Sequence, residues 1–371
     1  MGTSVRRIES LDGLRGAAAL VVLLHHCLLV MPALNGTGTN ATSWIVDSPL
    51  HAVWAGREAV FIFFILSGFV LTLPFIAGRA GWKAYYPTRL LRLYLPVSAA
   101  VLLGLVVVSA FPRHSGPGQS EWMQVHPVTF GWWSVVRDAL LVAGPSNMNT
   151  PLWSLQWEVI FSLLVPAYIW IALKMRQQWL LLAAGAGIVM EAGLVTHVDA
   201  LQYLPMFLLG AVLAVKAPDL IEKLEPWLAG RRGWFAFVVA VLGLTSVYSV
   251  AAILHTGVGT LTFPLVVMSA VAVVILSMTW PPAVRVLSFP FFRWAGRISF
   301  SLYLTHELVV VTVGQALPRR STLADAGNRY PFGPDVCGAV LSVGRSSLAQ
   351  IVTRSWTSCP RTRRGGRTSE Q

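Results

Sequence analysis

Apolar stretches long enough to cross a membrane recur along the chain, and polar residues gather between them. A helix spanning the hydrocarbon needs about 20 mostly apolar residues. Nine stretches meet or approach that length, roughly 14–34, 59–77, 93–111, 153–173, 179–195, 200–217, 234–254, 258–280 and 298–317. Those at 179–195 and 200–217 are the shortest. The first is too long and too charged internally for a cleaved leader, and no A-x-A-like site follows it. No internal repeat of fixed period is visible. The pattern predicts an all-α, polytopic membrane helix bundle. From about residue 318 the apolar rhythm stops and Ser, Thr, Arg, Gly and Pro take over. The one further candidate, Val336–Val352, is interrupted by Arg345 and several Ser. We therefore expect a membrane-embedded domain over 1–317 and a basic, non-spanning tail over 318–371, a change of text that a late frameshift would produce.

Composition agrees with this division. Of 371 residues 55% are hydrophobic and only 12% charged, about half the charge of an ordinary soluble domain. A soluble fold of this size could not clothe itself in polar surface, and a disordered chain would not carry so much apolar area. The net charge of +12 does not point to nucleic acid. Fifteen Lys and Arg fall in the segments on the N-terminal side of the bundle, against Arg57, Arg113 and Arg137 on the other, and nine Arg lie in the tail. By the positive-inside rule the N-terminus is expected in the cytoplasm. No reader module accompanies the Arg-rich end, so nucleic acid is not an expected partner. Three cysteines, Cys27, Cys337 and Cys359, are too few for a disulfide framework. His25, His26 and Cys27 are consecutive on a helix, about 100° apart, and cannot converge on one metal ion. Asn35 and Asn40 begin formal glycosylation sequons.

Charged groups in hydrocarbon are costly, so ionisable residues inside spans are functional candidates. Arg15 and His26 are eleven residues apart, about 20° from a common helix face and roughly 16 Å apart along the axis, whereas His25 lies about 80° off that face. One face could hold an anion at its cytoplasmic end and a proton acceptor deeper in; the blander reading is a snorkelling Arg and histidines bonded to neighbouring helices. Arg89 and Arg92, three apart at the expected start of the third span, suit a phosphate through bidentate bonds, or serve as cytoplasmic anchors. Glu158, five residues into the fourth stretch, could orient an imidazole or accept a hydroxyl proton. Tyr303 and His306 share a face of the last stretch, with Glu307 adjacent. Glu191 is isolated and is given no role. The longest connection, about 112–152, carries Trp122, Trp132, Trp133, His114 and His126, a composition suited to sugar recognition or to an interfacial aromatic belt.

These residues fall in a series of motifs that resembles the acyltransferase family 3 proteins, integral-membrane O-acyltransferases of bacterial glycans and antibiotics. SLDGLRGAAALVVLLHH, with Asp12, Arg15 and His26, is similar to the family's first-helix signature. FIFFILSGFVLT, with Ser67, resembles its second-helix segment, and Arg89-x-x-Arg92 before Pro96 resembles its arginine motif. NTPLWSLQWE ends on the family's Glu at 158, and ISFSLYLTHE carries its late Tyr303 and His306. Together the motifs span about 315 residues in the family's order.

The resemblance implies ten membrane helices, of which the tenth is not legible here, and a bacterial inner-membrane location. It implies no bound cofactor; an acyl-coenzyme A, most often acetyl-CoA, would be the donor substrate, its phosphates held by Arg89 and Arg92 with Arg15. A hydroxyl on an extracytoplasmic glycan or glycolipid would be the acceptor. His26 would be the general base, Glu158 would orient the base or acceptor, and Asp12, Ser67, Tyr303 and His306 would support the site. A secondary transporter of a small anion or sugar is the alternative from another class, although no paired, interrupted half-helices are visible. An acyltransferase inactivated by its altered C-terminus is a third.

Overall fold

The computed structural model describes residues 2–31, 43–116, 119–141, 144–254 and 259–316. The sequons at Asn35 and Asn40, Cys337, Cys359 and the whole tail from 318 lie outside these residues. Among the described residues every regular element is helical. In order they are α1 (Gly2–Leu29), α2 (Ser43–Val46), a 3₁₀ turn (Pro49–Trp54), α3 (Gly56–Ile76), α4 (Trp82–Ala110), α5 (Glu121–Gln124) and α6 (Trp132–Leu140). Then follow α7 (Leu152–Lys174), α8 (Trp179–Thr196), α9 (Asp199–Trp227), α10 (Arg231–Leu244), α11 (Ser246–Leu254), α12 (Gly259–Thr279), α13 (Pro281–Leu287) and α14 (Pro290–Ala316).

Seven of the nine predicted stretches lie in helices long and apolar enough to cross a membrane, in α1, α3, α4, α7, α8, α9 and α12. The other two are helical but do not meet that standard. The stretch 234–254 is divided at Thr245 into α10 and α11, of 14 and 9 residues. The stretch 298–317 is the second half of α14, whose polar residues, among them Arg293, Arg297, His306 and Glu307, lower its apolar average. His306 and Glu307 are buried within the bundle, so packing against other helices, not hydropathy, accounts for their place.

Helix boundaries also move one inference about depth. The apolar text of the third stretch begins near 93, but α4 begins at Trp82. Arg89 is therefore two turns inside the helix, about 10 Å from its start at 1.5 Å per residue, and not at its mouth.

Small residues set the closest crossings, as in other membrane bundles, where backbone approach replaces the hydrophobic drive. α3 and α9 meet where Gly68 faces Phe207 and Gly210 faces Ile65; a Cβ on Gly68 would lie 2.1 Å from the Phe207 carbonyl oxygen, and one on Gly210 2.0 Å from that of Ile65. α1 and α14 pack in the same way, with Gly16 against Phe292 and Gly296 against Asp12. Around these crossings lies a core of Phe61, Ile65, Phe161, Val165, Phe207 and Phe263. The faces of α8 and α10 that carry Leu180, Leu181, Ile188, Trp234 and Phe235 are exposed, as expected of surfaces that meet lipid.

The connection between α4 and α7 is folded onto the bundle. Asp138 accepts 2.6 Å bonds from the Ser146 backbone N–H and hydroxyl, and burial pushes its carboxyl above the ordinary range, with those bonds acting the other way. Arg113, only 4% exposed, donates to the carbonyls of Asn147 (3.4 Å) and Met148 (2.9 Å) and lies over the Phe130 ring. These bonds shape the segment that enters α7, where Asn147 takes a left-handed φ of 63°.

Candidate active site

The deepest polar cluster lies where α1, α14 and the α4–α7 connection meet. α14 presents Tyr303, His306 and Glu307 at i, i+3 and i+4, one helical face. His306 Nδ1 lies 3.0 Å from the Leu302 carbonyl, and its Nε2 lies 2.8 Å from His26 Nδ1. A carbonyl can only accept, so His306 carries its proton on Nδ1 and offers a lone pair at Nε2. His26 must then donate from Nδ1, a proton it shares with the Val22 carbonyl at 3.1 Å. For two neutral rings the hydrogen-bond pattern thus fixes one tautomer each. In those tautomers the lone pair of His26 lies on Nε2.

Exposure separates the members of this cluster by task. The His26 side chain retains 13% of its surface while that of Glu307 retains none, and the His126 side chain is equally closed. Only His26 of these three can meet a substrate directly. Trp122 stands beside it, with ring centres 5.3 Å apart. His25 faces elsewhere: its Nδ1 bonds the Trp54 carbonyl at 2.9 Å and its ring covers Gly56.

Behind His26, Glu307 Oε2 approaches Nε2 at 3.6 Å. Thr150 holds that carboxylate twice, through its N–H at 2.5 Å and through its hydroxyl. His126 Nε2 lies 3.3 Å from the other oxygen, and His126 Nδ1 donates to the Trp122 carbonyl at 2.9 Å. The connection is fixed to α14 again where Asn149 Nδ2 donates to the Leu304 carbonyl at 2.8 Å. Tyr303 shares a 2.8 Å bond with Ser154 of α7. No periodic signal in the sequence marks Thr150 or Asn149, and His126 stands out there only as a histidine in a long connection.

A second cluster joins α3, α4 and α7. Arg89 Nη2 meets Glu158 Oε1 at 2.5 Å, Arg89 Nε donates to Ser162 Oγ at 3.0 Å, and Ser67 donates to Glu158 Oε1 at 3.0 Å. The partner of Glu158 is therefore Arg89, with Ser67 alongside, and not His26. Arg92, one turn on, is exposed, as is Asp12, while Arg15 is half-buried. Arg89 and Arg92 thus share a helix side without sharing an environment.

A third group, not foreseen from sequence, lies by the 3₁₀ turn. Glu58, fully buried, accepts from the Tyr248 hydroxyl at 3.2 Å to each oxygen and from Arg57 at 3.3 Å. His51 stacks on Tyr248 with centres 3.6 Å apart. Its Nδ1 bonds the Val46 carbonyl, and burial disfavours its charged form and lowers its pKa. Among the described residues no three His, Cys, Asp or Glu are grouped to hold a metal ion.

Comparison with known proteins identifies the family. The model of the family Acyl_transf_3, described as an acyltransferase domain, matches residues 8–343. The chain belongs to the acyltransferase 3 family. It is 29% identical over 181 residues to the acyltransferase MdmB of Streptomyces mycarofaciens, covering 48% of this chain and 44% of that protein. It is 23% identical over 334 residues to a protein of Staphylococcus aureus (strain COL) named as an O-acetyltransferase, covering 82% of this chain and 51% of that one. The chain thus spans about half the length of the relatives it matches. No solved structure matches it. The family match begins within α1, at residue 8, and runs past the end of α14, so the clusters around His26 and Arg89 both lie in the acyltransferase domain.

Proposed function

We propose that the protein transfers an acyl group, acetyl in the simplest case, from cytoplasmic acyl-coenzyme A to a hydroxyl of an extracytoplasmic glycan or glycolipid. The observation that supports this reading is His26: a partly exposed ring in an otherwise closed cluster, whose Nδ1 is engaged by His306, so that its neutral form carries the lone pair on Nε2. A neutral imidazole with a directed lone pair is what a general base requires.

In this reaction the acceptor O–H gives its proton to His26 Nε2 as the oxygen attacks the thioester carbonyl carbon. The C–S bond then breaks, and the departing sulfur takes the proton back from Nε2 as the coenzyme A thiol. His26 ends as it began, and no other oxidant, reductant or proton source is needed. Arg92, exposed on α4, Arg89 and Arg15 would hold the donor's phosphates. Arg89 is already paired with Glu158, so in this scheme the donor would share that guanidinium with the carboxylate. With the N-terminus cytoplasmic, as the distribution of basic residues favours, the α4–α7 connection and Trp122 face the acceptor from the outer side of the inner membrane.

The test uses membranes containing the wild type, His26→Ala or His25→Gln, supplied with radiolabelled acetyl-coenzyme A and the host glycolipid fraction. General-base contributions of about 10²–10⁴-fold are usual, so base-labile label should be transferred by the wild type and by His25→Gln and be lost in His26→Ala. Equal transfer by all three would remove His26 from the chemistry. Transfer by none, with anion or sugar uptake instead, would favour the transporter.

A further inference from the structure

Counting protons around Glu307 shows one more than neutral rings would supply. His126 Nδ1 faces the Trp122 carbonyl at 2.9 Å, which can only accept, so that nitrogen is protonated. A neutral His126 would then point a bare Nε2 lone pair at Glu307 Oε1, 3.3 Å away. Two acceptors would face each other in a closed site, since neither side chain has any exposed surface. At hydrogen-bond distance a proton must lie between them, whereas His26 Nε2, 3.6 Å from the other oxygen, is out of that reach and needs none. Both carboxylate oxygens already take bonds from Thr150, an environment suited to the ionised form, so the proton belongs on nitrogen.

We propose that His126 and Glu307 form a buried imidazolium–carboxylate pair, and that Glu307 is a positioning residue whose negative charge stabilises His26 while it holds the acceptor's proton. The proposal rests on the acyl-transfer reading above and assigns the α4–α7 connection a part in it. Glu307 is faced by His26 from α1, by His126, Thr150 and Arg113 from the connection, and by His306 on its own helix. Its charge lies 3.6 Å from the nitrogen on which the proton arrives. In a site of low dielectric, that proximity counts for far more than it would in water. The His126 proton is not transferred at any step. It keeps the carboxylate compensated before the reaction, when His26 is neutral, and the connection closed onto α14.

The experiment uses the full chain in nanodiscs, with acetyl-coenzyme A and the host glycolipid fraction, and compares the wild type, Glu307→Gln and the double variant His126→Gln/Glu307→Gln. The double variant replaces the charged pair with two amides able to hydrogen-bond each other. We expect both variants to keep the KM for acetyl-coenzyme A within about threefold while turnover falls on the order of 100-fold, the scale of a lost charge-stabilising group. Retention of turnover within about threefold by the double variant would show that only shape matters and would overturn the proposal. Infrared difference spectra of the wild type against Glu307→Gln decide the ionisation separately: carboxylate bands are expected, and a protonated-carboxyl band assigned to Glu307 would refute the ion pair. Because the spectra need no turnover, a failure of the acyl-transfer reading, seen as no transfer by the wild type, remains distinct from a failure of the pair.

Discussion

The Arg89–Glu158 contact offers the sharpest test of how the bundle is held together. Both side chains are mostly closed to solvent, at 17% and 24% exposure, and the pair links α4 to α7, with Ser67 adding α3 and Ser162 a second bond to the guanidinium. Replacing Glu158 by Ala strands a largely buried guanidinium, a change that costs about 3–5 kcal/mol when one partner of a buried pair is removed. Ser162 still accepts from Arg89 Nε and the site is not fully dry, so the lower end, about 3 kcal/mol, is the reasonable value for this pair. The double variant Arg89→Ala/Glu158→Ala leaves no charge uncompensated and should recover most of that loss, giving a coupling of at least about 2 kcal/mol in a double-mutant cycle. The assay is thermal or denaturant unfolding of detergent-purified protein for the wild type, both single variants and the double. Additive losses, with no coupling beyond about 0.5 kcal/mol, would mean that the two residues do not form a pair. The same set informs on function: if Arg89 also holds donor phosphate, Arg89→Lys raises the KM for acyl-coenzyme A more than it lowers stability.

Two further expectations concern the rest of the bundle. His51 has its pKa lowered by burial, so the unfolded chain binds a proton that the folded one resists. Stability should therefore fall as pH drops below the unfolded histidine value of about 6.5, and His51→Gln should flatten the melting temperature across that window; an unchanged slope would show that the ring does not titrate differently on folding. At Gly68, where a Cβ would lie 2.1 Å from a carbonyl oxygen of α9, substitution by Ala should abolish a monodisperse protein. At Gly185, which has open space around it, Ala should be neutral or stabilise by up to about 1 kcal/mol, and size-exclusion chromatography with melting curves separates the two cases.

What could be read from the letters was whatever depends on one helix at a time. Length and hydropathy located the spans, and 3.6-residue geometry separated His26 from His25 and put Tyr303 and His306 on one face. Partners across helices were not accessible in that way. Glu158 looked suited to an imidazole from its place five residues into its span; the early start of α4 at Trp82 carries the Arg89 guanidinium inward to meet it. Thr150, Asn149 and His126 belong to a connection without periodicity, and nothing local in their sequence says that they close over α14. The division at Thr245 was also illegible, since the flanking residues are apolar on both sides and the average does not register a single break.

The bond between His26 and His306 joins residues 280 apart in the chain, and α1 packs along α14. At ribosomal rates of about 5–20 residues per second, roughly 15–55 s separate the synthesis of the two histidines. Until α14 is made, the Gly16 groove of α1 lacks the Phe292 and Gly296 backbone that fills it, and His26 lacks His306. On the acyl-transfer reading proposed above, no nascent chain short of α14 holds the proposed base with its partner, and α14, the last helix among the described residues, completes both the packing and the site.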